Sequence, residues 1–324
     1  VSGATGFAAA PPAVGLGLWK IERDRTADVV AEAIRIGYRH LDSACDYGNE
    51  REAGEGIRRA VAAGHCRRDD IWITSKLWNT YHEPSRVRAA CERTLTDLGV
   101  EQLDLYLVHF PIALEFVPFE ERYPPGWVRD PAVPAARMHP IEVPLADTWG
   151  AMERLVEAGL VKQIGLCNCP VGVIRELSAR ARIAPAVLQV EMHPFLVQEK
   201  LLRFCRESGM AVTAFSPLGA GSYVPLGMAT PEDSVLGHPA VQEIALATGR
   251  TPAQVVLRWG IQRGTSVIPK TSRLERLAEN LDVESFTLDD AQMRAIAGLD
   301  RHRRYNDPGV FCELAFGTFF PIYD

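Results

Sequence analysis

The sequence predicts an α/β protein, a closed (β/α)8 barrel, on three observations. Eight short apolar or alternating segments run along its 324 residues. Helical patterns fall between them, so the strands are expected to pair in parallel. The rival doubly wound sheet wants a glycine-rich phosphate turn opening a helix after an early strand. Gly15-Leu16-Gly17 holds only two of those glycines and runs into Trp19-Lys20.

The predicted strands are residues 14–18, 38–43, 71–77, 103–110, 162–167, 187–190, 211–215 and 266–269. Several are continuously apolar, as strands buried on both faces should be. A helix follows the second strand over residues 51–61. In Pro84–Leu98, Val87, Cys91, Leu95 and Leu98 recur every three or four residues. Pro84 suits the first turn and Gly99 the stop. Residues 145–158 carry Trp149, Met152, Leu155 and Val156 on one face, and Gly159 ends them. Thr251-Pro252 reads as N-cap and first turn of a helix reaching Gly264. Two segments break the alternation. Residues 111–144 hold eight prolines among Phe116, Phe119, Tyr123 and Trp127, and so long a structureless stretch is usually a functional loop. Residues 300–324 carry six aromatic side chains without helical or strand period. They read as a packed cover over the carboxyl face of the barrel. No repeat or linker divides the chain, so residues 1–324 are expected to form one domain.

Composition narrows the functions. An apolar share of 47% with mean hydropathy near zero describes a globular chain with a sizeable core. A net charge of −6 without a block of like charge argues against nucleic acid or an anionic membrane surface as partner. No window approaches about 20 uninterrupted apolar residues. Residues 1–10 lack the basic start and apolar core of a signal peptide. Seven scattered cysteines, an odd number, fit free thiols in a reducing compartment. A cytoplasmic setting is expected. Cys167-Asn168-Cys169 is not a zinc spacing, and no metal site is expected.

Active sites of such barrels are built where the strands end. Those ends carry Trp19, Asp42, Lys76, His109, Asn168, Gln189, Phe215 and Lys270, and Tyr47 follows the second strand closely. Gln189 alone could fill a polar barrel layer, and Arg276 could be a solvated helix face. The recurrence of chemistry-bearing groups at equivalent positions is what marks a site. A Lys76 cation beside Tyr47 is expected to lower the phenol's pKa, with Asp42 pairing the lysine. A neutral His109 would orient a carbonyl, and Tyr47 would act as general acid toward a forming alkoxide. This set holds no electron source, so a hydride must come from a cofactor. Asn168 and Gln189 suit a carboxamide and Phe215 a flat ring. Lys270, Ser272 and Arg276 suit a phosphate, helped by a helix starting near Ser272.

These residues lie in stretches that resemble the aldo-keto reductase family across nearly the whole chain. They are Gly15-Leu16-Gly17-Leu18-Trp19, Leu41-Asp42-Ser43-Ala44 with Tyr47-Gly48-Asn49-Glu50, Ser75-Lys76 and Leu107-Val108-His109. Ile164-Gly165-Leu166-Cys167-Asn168, Gln189-Val190-Glu191, Ser216-Pro217-Leu218-Gly219 and Ile268-Pro269-Lys270 continue the series. The resemblance implies a (β/α)8 TIM barrel, NADPH at the carboxyl face, reduction of carbonyls to alcohols, and a tetrad of Asp42, Tyr47, Lys76 and His109. It adds Cys167, Ser216, Leu218, Thr271, Glu279 and Asn280 to the cofactor contacts. Val108-His109-Phe110-Pro111, Tyr123-Pro124-Pro125-Gly126 and Asn306-Asp307-Pro308 are similar to the xylose reductase branch. That branch implies Asp46 and Asn306 on sugar hydroxyls beside Trp19, Trp78 and Phe110.

The chain departs from the family at Cys167, where Ser is usual, at Cys169 for Phe, and at Phe215 for Tyr. An acidic residue that serves NADH in some relatives falls near Pro225, so NADPH is expected to be preferred and NADH weaker. The expected function is NADPH-dependent reduction of an aldehyde, an open-chain aldose such as xylose, to the alcohol. The alternatives are a reductase of non-sugar aldehydes or ketones, and a non-catalytic NADPH-binding protein. Beyond a small-molecule aldehyde or sugar, the partner the sequence allows is a second copy in a homodimer.

Overall fold

The computed structural model describes residues 9–130, 132–133 and 137–323. Most of the N-terminal segment read above for a signal peptide, and Pro131 and Pro134 of the long loop, lie outside the described residues. Eight parallel strands form one sheet in chain order: β1 (Leu16–Gly17), β2 (His40–Asp42), β3 (Trp72–Leu77), β4 (Leu103–Val108), β5 (Val161–Cys167), β6 (Val187–Glu191), β7 (Ala211–Phe215) and β8 (Ser266–Val267). The sheet closes on itself. Gly15 N donates to Val267 O at 2.8 Å and Gly17 N to Pro269 O at 3.1 Å. A Cβ on Gly17 would stand 2.8 Å from Ile268 O, so the seam needs glycine there.

Around the barrel lie α1 (Arg23–Ile36), α2 (Glu50–Ala62), α3 (Pro84–Leu98), α4 (Leu145–Glu157), α5 (Val171–Ser178) and α6 (Glu199–Glu207). After β7 come α7 (Pro239–Thr248) and α8 (Pro252–Gln262), then α9 (Leu274–Leu281) and α10 (Asp290–Ala297) after β8. The stop and start signals act as read. Pro84 opens α3, and Gly99 closes it at φ 65°. The Thr251 hydroxyl accepts from Gln254 N, and Gln254 returns the bond to Thr251 N, a reciprocal cap. Every residue of β4 is buried, even Asp104, whose carboxylate accepts from Lys162 Nζ at 2.8 Å and Ile73 N at 2.9 Å. That pairing is what makes a buried charge tolerable.

Several elements differ from the sequence reading, the first two strands among them, each shorter than expected. The last strand is shorter than expected, because Pro269 has no N–H to continue the ladder. The helix expected near Ser272 begins at Leu274, since Thr271 Oγ1 accepts from Arg273 N and holds a turn first. The tail contains α11 (Pro308–Phe311) and α12 (Glu313–Phe316). Asp307 caps the first by accepting from Gly309 N, and helices of one turn are too short to show periodicity. Tail and long loop meet over the carboxyl face, where Met138 N donates to Ala315 O at 2.9 Å and the rings of Trp127 and Phe311 stand 5.4 Å apart.

Candidate active site

β2 and β3 run side by side, with Asp42 opposite Thr74, so the side chains at their carboxyl ends converge. Lys76 Nζ donates to Asp42 Oδ1 at 2.7 Å, to Ser43 O at 2.8 Å and to Tyr47 Oη at 3.0 Å. Three acceptors use all three ammonium protons of a fully buried lysine. Tyr47 reaches this point because the chain makes a tight turn after β2 and reverses at Gly48, at φ 72°. Asp42 Oδ2 accepts from Gln189 Nε2 at 2.5 Å. The buried carboxylate is thereby satisfied on both oxygens.

The phenol is not acidified at rest as the sequence led us to expect. Burial, followed by the Asp42 and Asp46 carboxylates, pushes the Tyr47 pKa well above its ordinary value. Asp42 balances the charge on Lys76, so little net positive field reaches the hydroxyl. Tyr47 is held as a neutral acid. Burial also lowers the His109 pKa, against the pull of Asp46, so this ring is neutral near pH 7. His109 Nδ1 lies 3.1 Å from Asp46 Oδ1, without the alignment of a hydrogen bond. A neutral imidazole carries one N–H, so His109 can donate to a carbonyl oxygen only as the tautomer protonated on Nε2.

A cleft of about 850 Å³ opens above these groups. Trp19, Asp46, Trp78, Phe110 and Asn306 line one part of it. Cys167, Asn168, Gln189, Phe215, Ser216 and Leu218 line the floor, and Lys270, Thr271, Ser272 and Arg276 the far end. The donor set fits a dinucleotide. With Nε2 committed to Asp42, Gln189 keeps Oε1 for a ligand. Burial lowers the Lys270 pKa, and burial with the nearby Lys270 charge lowers that of Lys20. An anion placed between two such cations relieves both penalties. Among the described residues, the side chains of Lys270, Arg273 and Arg276 make no hydrogen bond or ion pair, which leaves them available for phosphate. Glu279 and Asn280 do not line the cleft. Glu279 Oε1 accepts from the Thr251 hydroxyl at 2.7 Å, and Asn280 is one of the buried residues of α9.

Residues 13–301 match the model of the aldo/keto reductase family. The chain belongs to that family. It is 46% identical over 316 residues to a probable NAD(P)H-dependent D-xylose reductase of Arthroderma otae, covering 97% of this chain and 94% of that one. It is 44% identical over 302 residues to an NAD(P)H-dependent D-xylose reductase of Pyricularia oryzae, with 93% of each chain covered. Identity is likewise 44% over 299 residues to the NADPH-dependent D-xylose reductase of Meyerozyma guilliermondii, covering 92% of this chain and 93% of that one. Among solved structures, the aldose reductase of Giardia lamblia superposes with a TM-score of 0.85 at 37% identity, covering 97% of this chain and 99% of that one.

This aldo/keto reductase also places residues at the cleft that the sequence reading did not assign. Lys20 Nζ donates to Ser222 O at 2.7 Å, tying the turn after β1 to the loop after β7. Tyr223 on that loop stacks on Tyr305, 5.5 Å between centroids, and its hydroxyl meets Ser216 Oγ at 2.8 Å. Trp127 packs its indole 4.9 Å from Trp78 and 4.8 Å from Phe110. Glu191 anchors the tail, its carboxylate accepting from Tyr305 N at 2.9 Å and Asn306 N at 2.8 Å. Glu191 had a legible signal: it follows Gln189 by two positions and so shares its face of β6. Lys20, Trp127 and Tyr223 sit on loops whose course no local pattern fixes.

Proposed function

We propose that this chain reduces the aldehyde of an open-chain aldose such as xylose to the alcohol, using NADPH, with NADH as the weaker cofactor. The observation that carries the reading is the Tyr47–Lys76–Asp42 line, held neutral at its acid end, at the floor of a cleft walled by aromatics. A bound nicotinamide would supply the hydride. Tyr47 gives its proton to the carbonyl oxygen as negative charge develops there. Lys76, 3.0 Å from that hydroxyl, stabilises the phenolate that forms, and Asp42 fixes the lysine. His109 orients the carbonyl. Trp19, Trp78 and Phe110 wall the chain of the sugar, while Asp46 and Asn306 take its hydroxyls, since polar pairs facing aromatic walls suit a polyol. Asn168, Gln189 and Cys167 hold the carboxamide, Phe215 the ring, and Ser216 and Leu218 the diphosphate side. Lys270, Thr271, Ser272 and Arg276 hold the 2′-phosphate.

Residues 1–324 would work as one barrel domain, in the cytoplasm, where seven free thiols stay reduced. A homodimer is part of the same proposal, and sedimentation equilibrium reads it directly. The main test follows NADPH absorbance with purified protein and xylose, and identifies the sugar alcohol by chromatography. Cofactor binding without oxidation by any aldehyde defeats the catalytic reading. A second reading, reduction of apolar aldehydes, draws on the ring cluster of Trp78, Phe110, Trp127 and Phe311. It wins if kcat/KM for benzaldehyde exceeds that for xylose.

A further inference from the structure

The tail does more than cover the cleft, for its end returns to the floor. Tyr323 Oη donates to Asn168 Oδ1 at 3.1 Å. Its ring is half-buried and clamped beneath the guanidinium of Arg304, 3.6 Å above the centroid. Arg304 in turn donates to Gln198 Oε1, and Gln198 Nε2 to Glu191 O. Tyr323 is thus held by the same end of β6 that anchors Asn306.

Asn168 has its orientation set by what surrounds it. Its Nδ2 faces His109 O at 3.0 Å, a carbonyl that can only accept, so the nitrogen must point there. A second donor contact runs from Nδ2 to Cys167 Sγ at 3.1 Å. Both amide hydrogens are then engaged within the protein. Oδ1 has two lone pairs, and among the described residues Tyr323 takes one. The other is left facing the cleft that Asn168 lines. Gln189 is in the same condition, with Nε2 on Asp42 and Oε1 free of strong partners. Two acceptors therefore face the cleft side by side, matched to the two hydrogens of a primary carboxamide. The residue between them is Cys167, a thiol and so a weak hydrogen-bonding group. With so little help from position 167, the orientation of Asn168 carries more of the recognition.

We propose that Tyr323 is a positioning residue for the nicotinamide carboxamide, locking Asn168 with Oδ1 toward the cleft and so tying the tail to cofactor recognition. This rests on the cofactor reading above. The test compares wild type with Tyr323→Phe, which keeps the ring and its Arg304 contact and removes only the hydroxyl. Two probes are titrated by tryptophan fluorescence: NADP⁺, and 2′-phospho-ADP-ribose, which has no nicotinamide. The expected result is NADP⁺ weakened about two- to tenfold, the value of one neutral hydrogen bond, with 2′-phospho-ADP-ribose unchanged. Equal loss for both probes overturns the proposal, because the hydroxyl then serves only the packing of the tail. Unchanged NADP⁺ binding also overturns it. So does tighter binding, which would mean that Tyr323 occupies the carboxamide's place. Failure of wild type to bind either probe falls on the cofactor reading itself and is told apart by that.

Discussion

Tyr47→Phe removes the proton donor and little else. Lys76 loses one of three acceptors but keeps Asp42 at 2.7 Å and Ser43 O at 2.8 Å, so its charge stays paired. One part-buried hydrogen bond is lost, worth about 1 kcal/mol of stability. No nearby group substitutes as acid. The Ser216 and Tyr223 hydroxyls bond each other, Tyr323 donates to Asn168, and burial keeps His109 neutral, making it a feeble proton source. Positioned general acids contribute about 10²–10⁴ in rate, or about 3–5 kcal/mol of barrier. The variant should lose that much in aldehyde reduction and bind NADPH as wild type does, as measured by fluorescence titration. A deuterium isotope effect from labelled NADPH verifies that hydride transfer limits the rate. Because the phenol's pKa is raised, wild-type reduction should hold steady from neutral into alkaline pH and fall only as the phenol ionises. More than about a tenth of wild-type turnover, with the isotope effect expressed, refutes Tyr47 as the acid.

Asn306→Ala should raise KM for xylose and spare benzaldehyde, because a site built to pair a hydroxyl suffers most with polar substrates; equal losses point to a packing defect. Arg276→Ala should lower kcat/KM for NADPH about tenfold, one charge-assisted contact, and leave NADH unchanged; a wild-type ratio near one between the cofactors sinks the phosphate argument. Glu50 is buried, and accepts from Ser75 at 2.7 Å and Thr94 at 3.1 Å. Burial raises its pKa to about 8, above that of the unfolded chain. Its contribution to stability is therefore full below the ordinary carboxyl range and lost progressively as pH rises to about 8. Glu50→Gln should gain in Tm over wild type as pH climbs through that window, and a pH-independent difference in Tm means the buried carboxyl does not titrate as described.

What the sequence made legible was whatever local chemistry dictates. Pro84 and Gly99 bound α3 to the residue, and the apolar run of residues 105–108 marked β4 as a buried strand. The convergence of Asp42, Tyr47, Lys76 and His109 was legible too, because parallel strands of a barrel bring their carboxyl ends to one face. The protonation balance was not. Whether Lys76 acidifies Tyr47 depends on how much of its charge Asp42 cancels and how dry the site is, which are properties of packing. The one-turn helices of the tail were equally hidden. So was the return of Tyr323 to Asn168, a contact between residues 155 positions apart that no periodicity encodes.

The resting protonation state gives the network a consistent reading. If Lys76 drove Tyr47 toward phenolate before substrate arrived, the enzyme would lose its acid. Pairing Lys76 with Asp42 prevents this, yet leaves the ammonium 3.0 Å from the hydroxyl. Charge that appears on that oxygen during proton transfer then meets a fully buried cation already held in place by Asp42 and Ser43 O, so little has to reorganise. Asp42 does a second thing at once. Its other oxygen holds Gln189 Nε2, so one carboxylate sets both the acid's cation and an amide acceptor at the floor of the cleft. Lys76 and Gln189 are thus placed relative to each other by a single buried side chain. Tyr323 holds Asn168 Oδ1 at 3.1 Å on the other side. Asp42 and Tyr323 lie at opposite ends of the sequence, and on the cofactor reading proposed above the two together would set where a nicotinamide stands relative to Tyr47.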